Sequence, residues 1–172
     1  MISVLALDLA TKTGWAFGEM DAEPEYGTLE LPGGSKNLGP FLHTFSNWLD
    51  AALHKMIPEY IVYELPVLPK TTNPTTVIKL NSLAGHTELL AHLSKIHCRG
   101  ARNSTVMKHF TGNGGGKRDD RKARCINACL NRGWEPEDDN QADALAIWDY
   151  TMFCLNPDTS HTIALNGMGA AA

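Results

Sequence analysis

An aspartate inside an unbroken apolar strand constrains this chain more than any other feature. The segment Ile-Ser-Val-Leu-Ala-Leu-Asp8-Leu lies at the start of the sequence, and a run that is apolar on both faces reads as a central strand covered on each side. An ionised carboxylate there is costly unless a cation or hydrogen-bond donors meet it, so Asp8 is expected to hold something. The pattern recurs at Tyr60-Ile-Val-Tyr-Glu64-Leu-Pro66, a β-prone run that ends in a glutamate and is closed by proline. A third acidic group lies in Asp138-Asp139-Asn140-Gln141-Ala142-Asp143-Ala144-Leu145-Ala146, where Asp143 sits on the apolar face of a helix. Acids on three separate elements suggest one metal site.

The hydropathy pattern places these acids in a mixed α/β domain. Residues 2–9, 15–19 and 24–31 read as a meander of three strands, with Thr11-Lys-Thr-Gly14 as the first turn. Ser35 is expected to cap an amphipathic helix through Leu38, Phe41, Leu42, Phe45, Trp48, Leu49, Ala52, Leu53 and Met56, apolar residues recurring at three and four. Residues 60–65 form a fourth strand, 75–94 a helix and 95–100 a fifth strand. Asn103 or Ser104 is expected to cap a short helix to Phe110. A basic helix over 119–131, ended by Gly133, and a last helix over 139–153 complete the domain. Residues 1–155 make one domain, and 156–172 read as a poorly ordered tail.

The 172 residues suffice for a single core burying roughly 70% of the unfolded surface. An apolar content of 43% with 20% charged residues fits a soluble globular protein, and no apolar run approaches the roughly 18 residues of a membrane span. No basic n-region precedes the first strand, so no signal peptide is read and a cytoplasmic location is expected. Cys98, Cys125, Cys129 and Cys154 form no CxxC pair and read as small buried hydrophobes rather than a zinc site. A net charge of -4 argues against a general polyanion binder, but the charge is uneven. Between residues 108 and 124, Lys108, Lys117, Arg118, Arg121, Lys122 and Arg124 are opposed only by Asp119 and Asp120.

If Asp8, Glu64 and Asp143 converge, they need a counter-ion, because two carboxylates about 4 Å apart repel by roughly 4 kcal/mol at an effective dielectric near 20. Hard oxygen ligands favour Mg2+ or Mn2+, and a pair of such ions activates water and stabilises the leaving oxygen in phosphodiester cleavage. Taken singly, Glu64 reads more often as a turn or cap residue than as a ligand, and Asp138 and Asp139 equally as helix caps. Asp139 lies four residues before Asp143 and Asn140 three, so either can share its helical face. Spacing leaves that choice open.

Four blocks together resemble the RuvC family of Holliday junction resolvases. They are Leu7-Asp8-Leu-Ala-Thr-Lys-Thr-Gly14-Trp, Tyr63-Glu64-Leu-Pro66, Ser104-Thr-Val-Met-Lys108-His-Phe-Thr-Gly112-Asn113-Gly and Asp139-Asn140-Gln-Ala-Asp143-Ala-Leu-Ala. The resemblance spans roughly residues 2–153 and rests on the order and spacing of the blocks. It implies an RNase H-like fold with a mixed five-stranded sheet flanked by helices, and a homodimer that nicks four-way DNA junctions symmetrically with two Mg2+ or Mn2+ ions per active site. Asp8, Glu64 and Asp143 fall on three of the family's metal-binding acids. The fourth ligand of the family stands three residues before the last acid, where this chain has Asn140; Asp139 is taken as the replacement, with Asn140 as a further donor.

The resemblance also puts Lys108 beside the scissile phosphate and gives Lys117, Arg118, Arg121 and Lys122 to the backbone of the junction arms. It makes Val77, Leu80, Leu83, Leu89 and Leu90 candidates for the dimer interface, with intrachain core as the alternative. The 66–76 loop would lie near the junction centre, and it carries no aromatic wedge. The Asp-Asp-Asn-x-Ala-Asp pattern is closer to phage-encoded and divergent members, which widens the substrates to flaps and other branched DNA. Two other classes compete. One is a non-catalytic RNase H-like DNA-binding module; the other is an actin-like kinase or ATPase, whose first phosphate turn resembles residues 8–14 but which needs a duplicated domain and a second Asp-x-Gly that this chain lacks.

Overall fold

The computed structural model describes residues 2–33, 37–66 and 73–156. In chain order the elements are β1 (Ser3–Asp8), β2 (Lys12–Glu19), β3 (Glu25–Glu30), α1 (Leu38–Met56), β4 (Tyr60–Glu64), α2 (Pro74–Leu93), β5 (His97–Ala101), α3 (Asn103–Thr111), α4 (Arg118–Leu130) and α5 (Asp139–Leu155). The sheet order is β3-β2-β1-β4-β5. The meander β1–β3 is antiparallel, whereas β1, β4 and β5 run parallel, so the C-terminal ends of β1 and β4 lie together.

Side-chain alternation along β1 divides the interior into two cores. Val4 and Ala6 join Val62 and the buried residues of α3, α4 and α5, while Leu5, Leu7 and Leu9 join Ile61, Tyr63 and the apolar faces of α1 and α2. Asp8 has the parity of Val4 and Ala6, and Glu64 that of Val62. Both acids therefore end their strands on the α5 side of the sheet. α5 lies across that face with eleven buried residues, among them Ala142, Ala144, Leu145 and Ala146.

Three expectations from the sequence are corrected. Residues 12–14 are strand rather than turn: Gly14 pairs with Asp8 across β1–β2, and Thr13 Oγ1 donates to Ala10 O at 2.7 Å to tighten the hairpin before it. Neither Asn103 nor Ser104 caps α3, whose N-cap is Arg102 with no side-chain cap bond. β5 begins at His97, because Lys95 takes φ +58 to turn the chain out of α2. The cap of α1 is Asn37, which accepts from Gly39 N at 2.9 Å; Ser35 lies outside the described residues, as do residues 67–72 of the central loop and residues 157–172 of the tail. The four cysteines are unpaired, with Cys125, Cys129 and Cys154 buried and Cys98 half-buried. No described helix is long and apolar enough to cross a membrane.

Candidate metal and nucleic-acid site

A cleft of about 560 Å³ opens at the ends of β1 and β4 and is lined by Asp8, Glu64, Asp139, Asn140 and Asp143. Asp8 arrives from the buried strand β1 and Glu64 from β4. Asp139 and Asp143 come from the first turns of α5, one helical turn apart. The approach of α5 depends on Gly14, because a Cβ there would fall 2.0 Å from Asn140 O and 2.4 Å from its carbonyl carbon. A bare backbone opposite Asp8 lets the helix start descend onto the strand that carries the aspartate.

The carboxylates act on one another. Burial pushes Asp8 well above the ordinary carboxylate range, and the charges of Asp143, Glu64 and Asp139 push it further. Burial also raises Asp143 to about 6, with Glu64 adding to the rise, while the neighbouring Cys125 thiol and Lys122 act in the opposite direction. Glu64 is raised by burial against a hydrogen bond from Asn103 and the charge of Arg121. Asp138 differs: burial raises it, but bonds from Lys12 and from Gln141 N outweigh this and leave it lowered. Its Oδ1 accepts from Gln141 N at 2.9 Å as the N-cap of α5, and its Oδ2 meets Lys12 Nζ at 2.8 Å. Asp138 is thus a structural cap, satisfied without an ion.

The rest of the lining is largely basic and polar. Arg118, Arg121 and Lys122 of α4 line the cleft, together with Asn103 and Met107 of α3 and Asn73, Thr75, Thr76 and Lys79 at the start of α2. Lys122 Nζ forms an ion pair with Asp139 Oδ2. Arg121 Nη1 donates to Asn103 Oδ1 at 3.4 Å, and Asn103 Nδ2 donates to Glu64 Oε2 at 2.7 Å. The buried Arg121 Nε has no hydrogen-bond partner among the described residues. Lys108 and Lys117 stand apart from this lining: Lys108 is exposed on α3, and Lys117 is the exposed N-cap of α4.

The donor set suits a hard divalent cation. It is made of carboxylate oxygens on a buried strand, a strand end and a helix, and Asp8 is surrounded by groups that penalise its charge. As they stand the acids are spread. Among the described residues no group of three or more His, Cys, Asp or Glu side chains is drawn in closely enough to hold an ion, while Lys122 and Asn103 engage Asp139 and Glu64.

The folds of solved structures match this arrangement over nearly its whole length. Thermus thermophilus RuvC superposes with a TM-score of 0.67 at 16% identity, covering 89% of this chain and 95% of that one. The chain has the RuvC-type, RNase H-like fold. T. thermophilus RuvC in complex with a Holliday junction substrate gives 0.68 at 16% identity, over 86% and 90% of the two chains. The yeast mitochondrial Holliday junction resolvase Ydc2 gives 0.59 at 16% identity, over 93% and 84%. No protein-family model matches the sequence, and no curated protein matches it.

On this RuvC-type fold, sequence reasoning missed Asn103, Lys79, Thr75 and Thr76 as lining residues. Asn103 was hidden by its position, where an asparagine before a helix signals a cap. Lys79 was hidden because a lysine on an amphipathic helix signals solvent; its ammonium instead stands 4.9 Å over the Phe41 ring at the cleft floor.

Proposed function

We propose that the chain is a metal-dependent endonuclease that resolves four-way DNA junctions as a homodimer. The observation that carries this reading is that Asp8, Glu64, Asp139 and Asp143 from β1, β4 and α5 line one cleft together with Arg118, Arg121 and Lys122. Acids that can hold cations, set beside positive side chains in one cleft, can bind a phosphodiester and stabilise the charge that develops on it. The RuvC-type fold supports the substrate class, since one of the matched structures is a complex with a Holliday junction.

Asp8, Glu64, Asp139 and Asp143 are the residues that would hold Mg2+ or Mn2+. Two such ions, when bound, supply an activated water and charge stabilisation at the leaving oxygen. Asp139 is the better fourth ligand because it carries a charge that acts on both Asp8 and Asp143, whereas the Asn140 amide carries none. Arg118, Arg121 and Lys122, which line the cleft, bind the phosphates flanking the cut. Lys79, Thr75 and Thr76 supply contacts from the α2 side. Lys108 and Lys117, exposed outside the cleft, contact the backbone of the arms.

The dimer surface is the outer face of α2. Ile78, Leu89 and Leu93 are 52%, 53% and 67% exposed, and they share one stripe of the helix with Ser82 and Gly85, whose missing side chain opens onto empty space. Of the residues expected at this interface, Leu83 is fully buried in the chain's own core and Val77, Leu80 and Leu90 are half-buried; Leu89 remains.

The test is a synthetic four-way junction with labelled strands, incubated with Mg2+ or Mn2+. Symmetric nicks in opposing strands are expected, and Asp8→Asn is expected to abolish cutting while the junction is still bound. Equal cutting of linear duplex and junction would remove the resolvase reading, and no cutting of either would remove the nuclease.

A further inference from the structure

Asn103 is a capping residue type that caps nothing. It stands one position inside α3, after an Arg102 that makes no side-chain cap bond, and its amide bridges two other groups. Nδ2 donates to Glu64 Oε2 at 2.7 Å, and Oδ1 accepts from Arg121 Nη1 at 3.4 Å. The sheet register builds this contact. Glu64 pairs with Ala101 across β4–β5, and Leu65 N donates to Ala101 O at 2.8 Å, so the turn from β5 into α3 carries Asn103 to the glutamate two residues later.

We propose that Asn103 is the positioning residue of Glu64: it ties the β4 carboxylate to the α4 guanidinium and fixes its orientation toward a divalent ion. This rests on the metal-site reading above. The chemistry of the bridge is specific. A guanidinium only donates and a carboxylate only accepts, so a group placed between them must accept on one side and donate on the other. An amide does both and carries no charge.

A direct Arg121–Glu64 pair would hold the glutamate against a cation of the wrong kind. Through the amide, Arg121 orients Glu64 at a distance and still favours its ionised form against burial. Asn103 engages Oε2 alone, and a carboxylate bound through one oxygen keeps the other for an ion. Partners of this kind orient metal ligands, and removing one typically costs 10- to 100-fold in metal affinity.

The test is calorimetric titration of the full chain with Mn2+ at fixed pH. Asn103→Ala is expected to weaken Mn2+ binding by about 10- to 100-fold. Asn103→Asp, which keeps the size and the acceptor for Arg121 but cannot donate to Glu64 when ionised, is expected to weaken it at least as much. In a Glu64→Gln background, Asn103→Ala is expected to add less than about a twofold loss, because a residue acting only through Glu64 has nothing left to position. Parental Mn2+ affinity in both Asn103 variants, or an equal loss with and without Glu64, overturns the proposal. Asp8→Asn separates the two readings. If it abolishes Mn2+ binding while the Asn103 variants bind normally, only the role of Asn103 fails; if it binds Mn2+ like the parent, the metal site fails and this inference with it.

Discussion

At Gly14 a single hydrogen atom decides whether the site can assemble. Any β-carbon there would overlap the Asn140 carbonyl, and backbone cannot yield as a side-chain tip can. Gly14→Ala is therefore expected to lift the start of α5 off β2 and to destabilise the protein by about 1–3 kcal/mol or more, the range for overpacking a filled interior. Urea unfolding of the variant measures this, and an unchanged midpoint would contradict it. The buried acids make a second prediction. Asp8, Glu64 and Asp143 all lose protons less readily when folded, so the stability they contribute is fully present below the ordinary carboxylate range and is lost as pH rises through their folded values. Raising Asp143 from 3.8 to about 6 corresponds to about 3 kcal/mol. In EDTA the melting temperature is expected to fall as pH rises from about 4 through 6 and beyond, and Mg2+ is expected to restore it above pH 6 by binding the ionised acids. Identical pH profiles with and without Mg2+ would contradict this. At this scale the sequence was legible where a charge broke an apolar pattern, as at Asp8 and Asp143. It was not legible at Asn103, because a residue that positions another through space has no periodic signature.

Element boundaries were readable wherever spacing and local chemistry agreed, as along α2 and α5. They were misread where a tertiary demand overrode local preference. Thr11-Lys-Thr-Gly14 has turn composition, yet residues 12–14 pair in β2 because α5 needs the flat glycine opposite Asp8. α1 ends in a comparable conflict. Its C-cap Ile57 takes φ +49 and ψ 55, a left-handed geometry unfavourable to a β-branched residue, and its side chain is 75% exposed. Ile57→Gly removes the strain and an apolar side chain that little covers. It is expected to raise stability by about 1 kcal/mol in thermal unfolding, and a loss of stability would show that Ile57 has a partner.

For the whole molecule, the parallel run β1-β4-β5 gathers strand ends on one edge, and a cleft beyond the carboxyl ends of parallel strands is where such sheets place their chemistry. Four motif blocks distant in sequence gave the order of these parts, so the fold class was legible in them, and the acids they carry line one cleft. The basic part of the lining was legible only as a local excess of charge, because which cations enter the cleft depends on how α3 and α4 pack beside it; Arg118, Arg121 and Lys122 line it, and Lys108 and Lys117 do not. The exposed stripe on α2 carries a prediction about assembly. The parent chain is expected to be a dimer by light scattering, and Leu89→Glu combined with Leu93→Glu is expected to give a folded monomer; an unshifted mass would place the interface elsewhere. The account depends most on the four acids sharing divalent ions, and anomalous diffraction from crystals soaked in Mn2+ reads that directly. It predicts manganese peaks bound by Asp8, Glu64, Asp139 and Asp143, lost in Asp8→Asn crystals; a cleft with no manganese, or manganese bound only elsewhere on the surface, would contradict it.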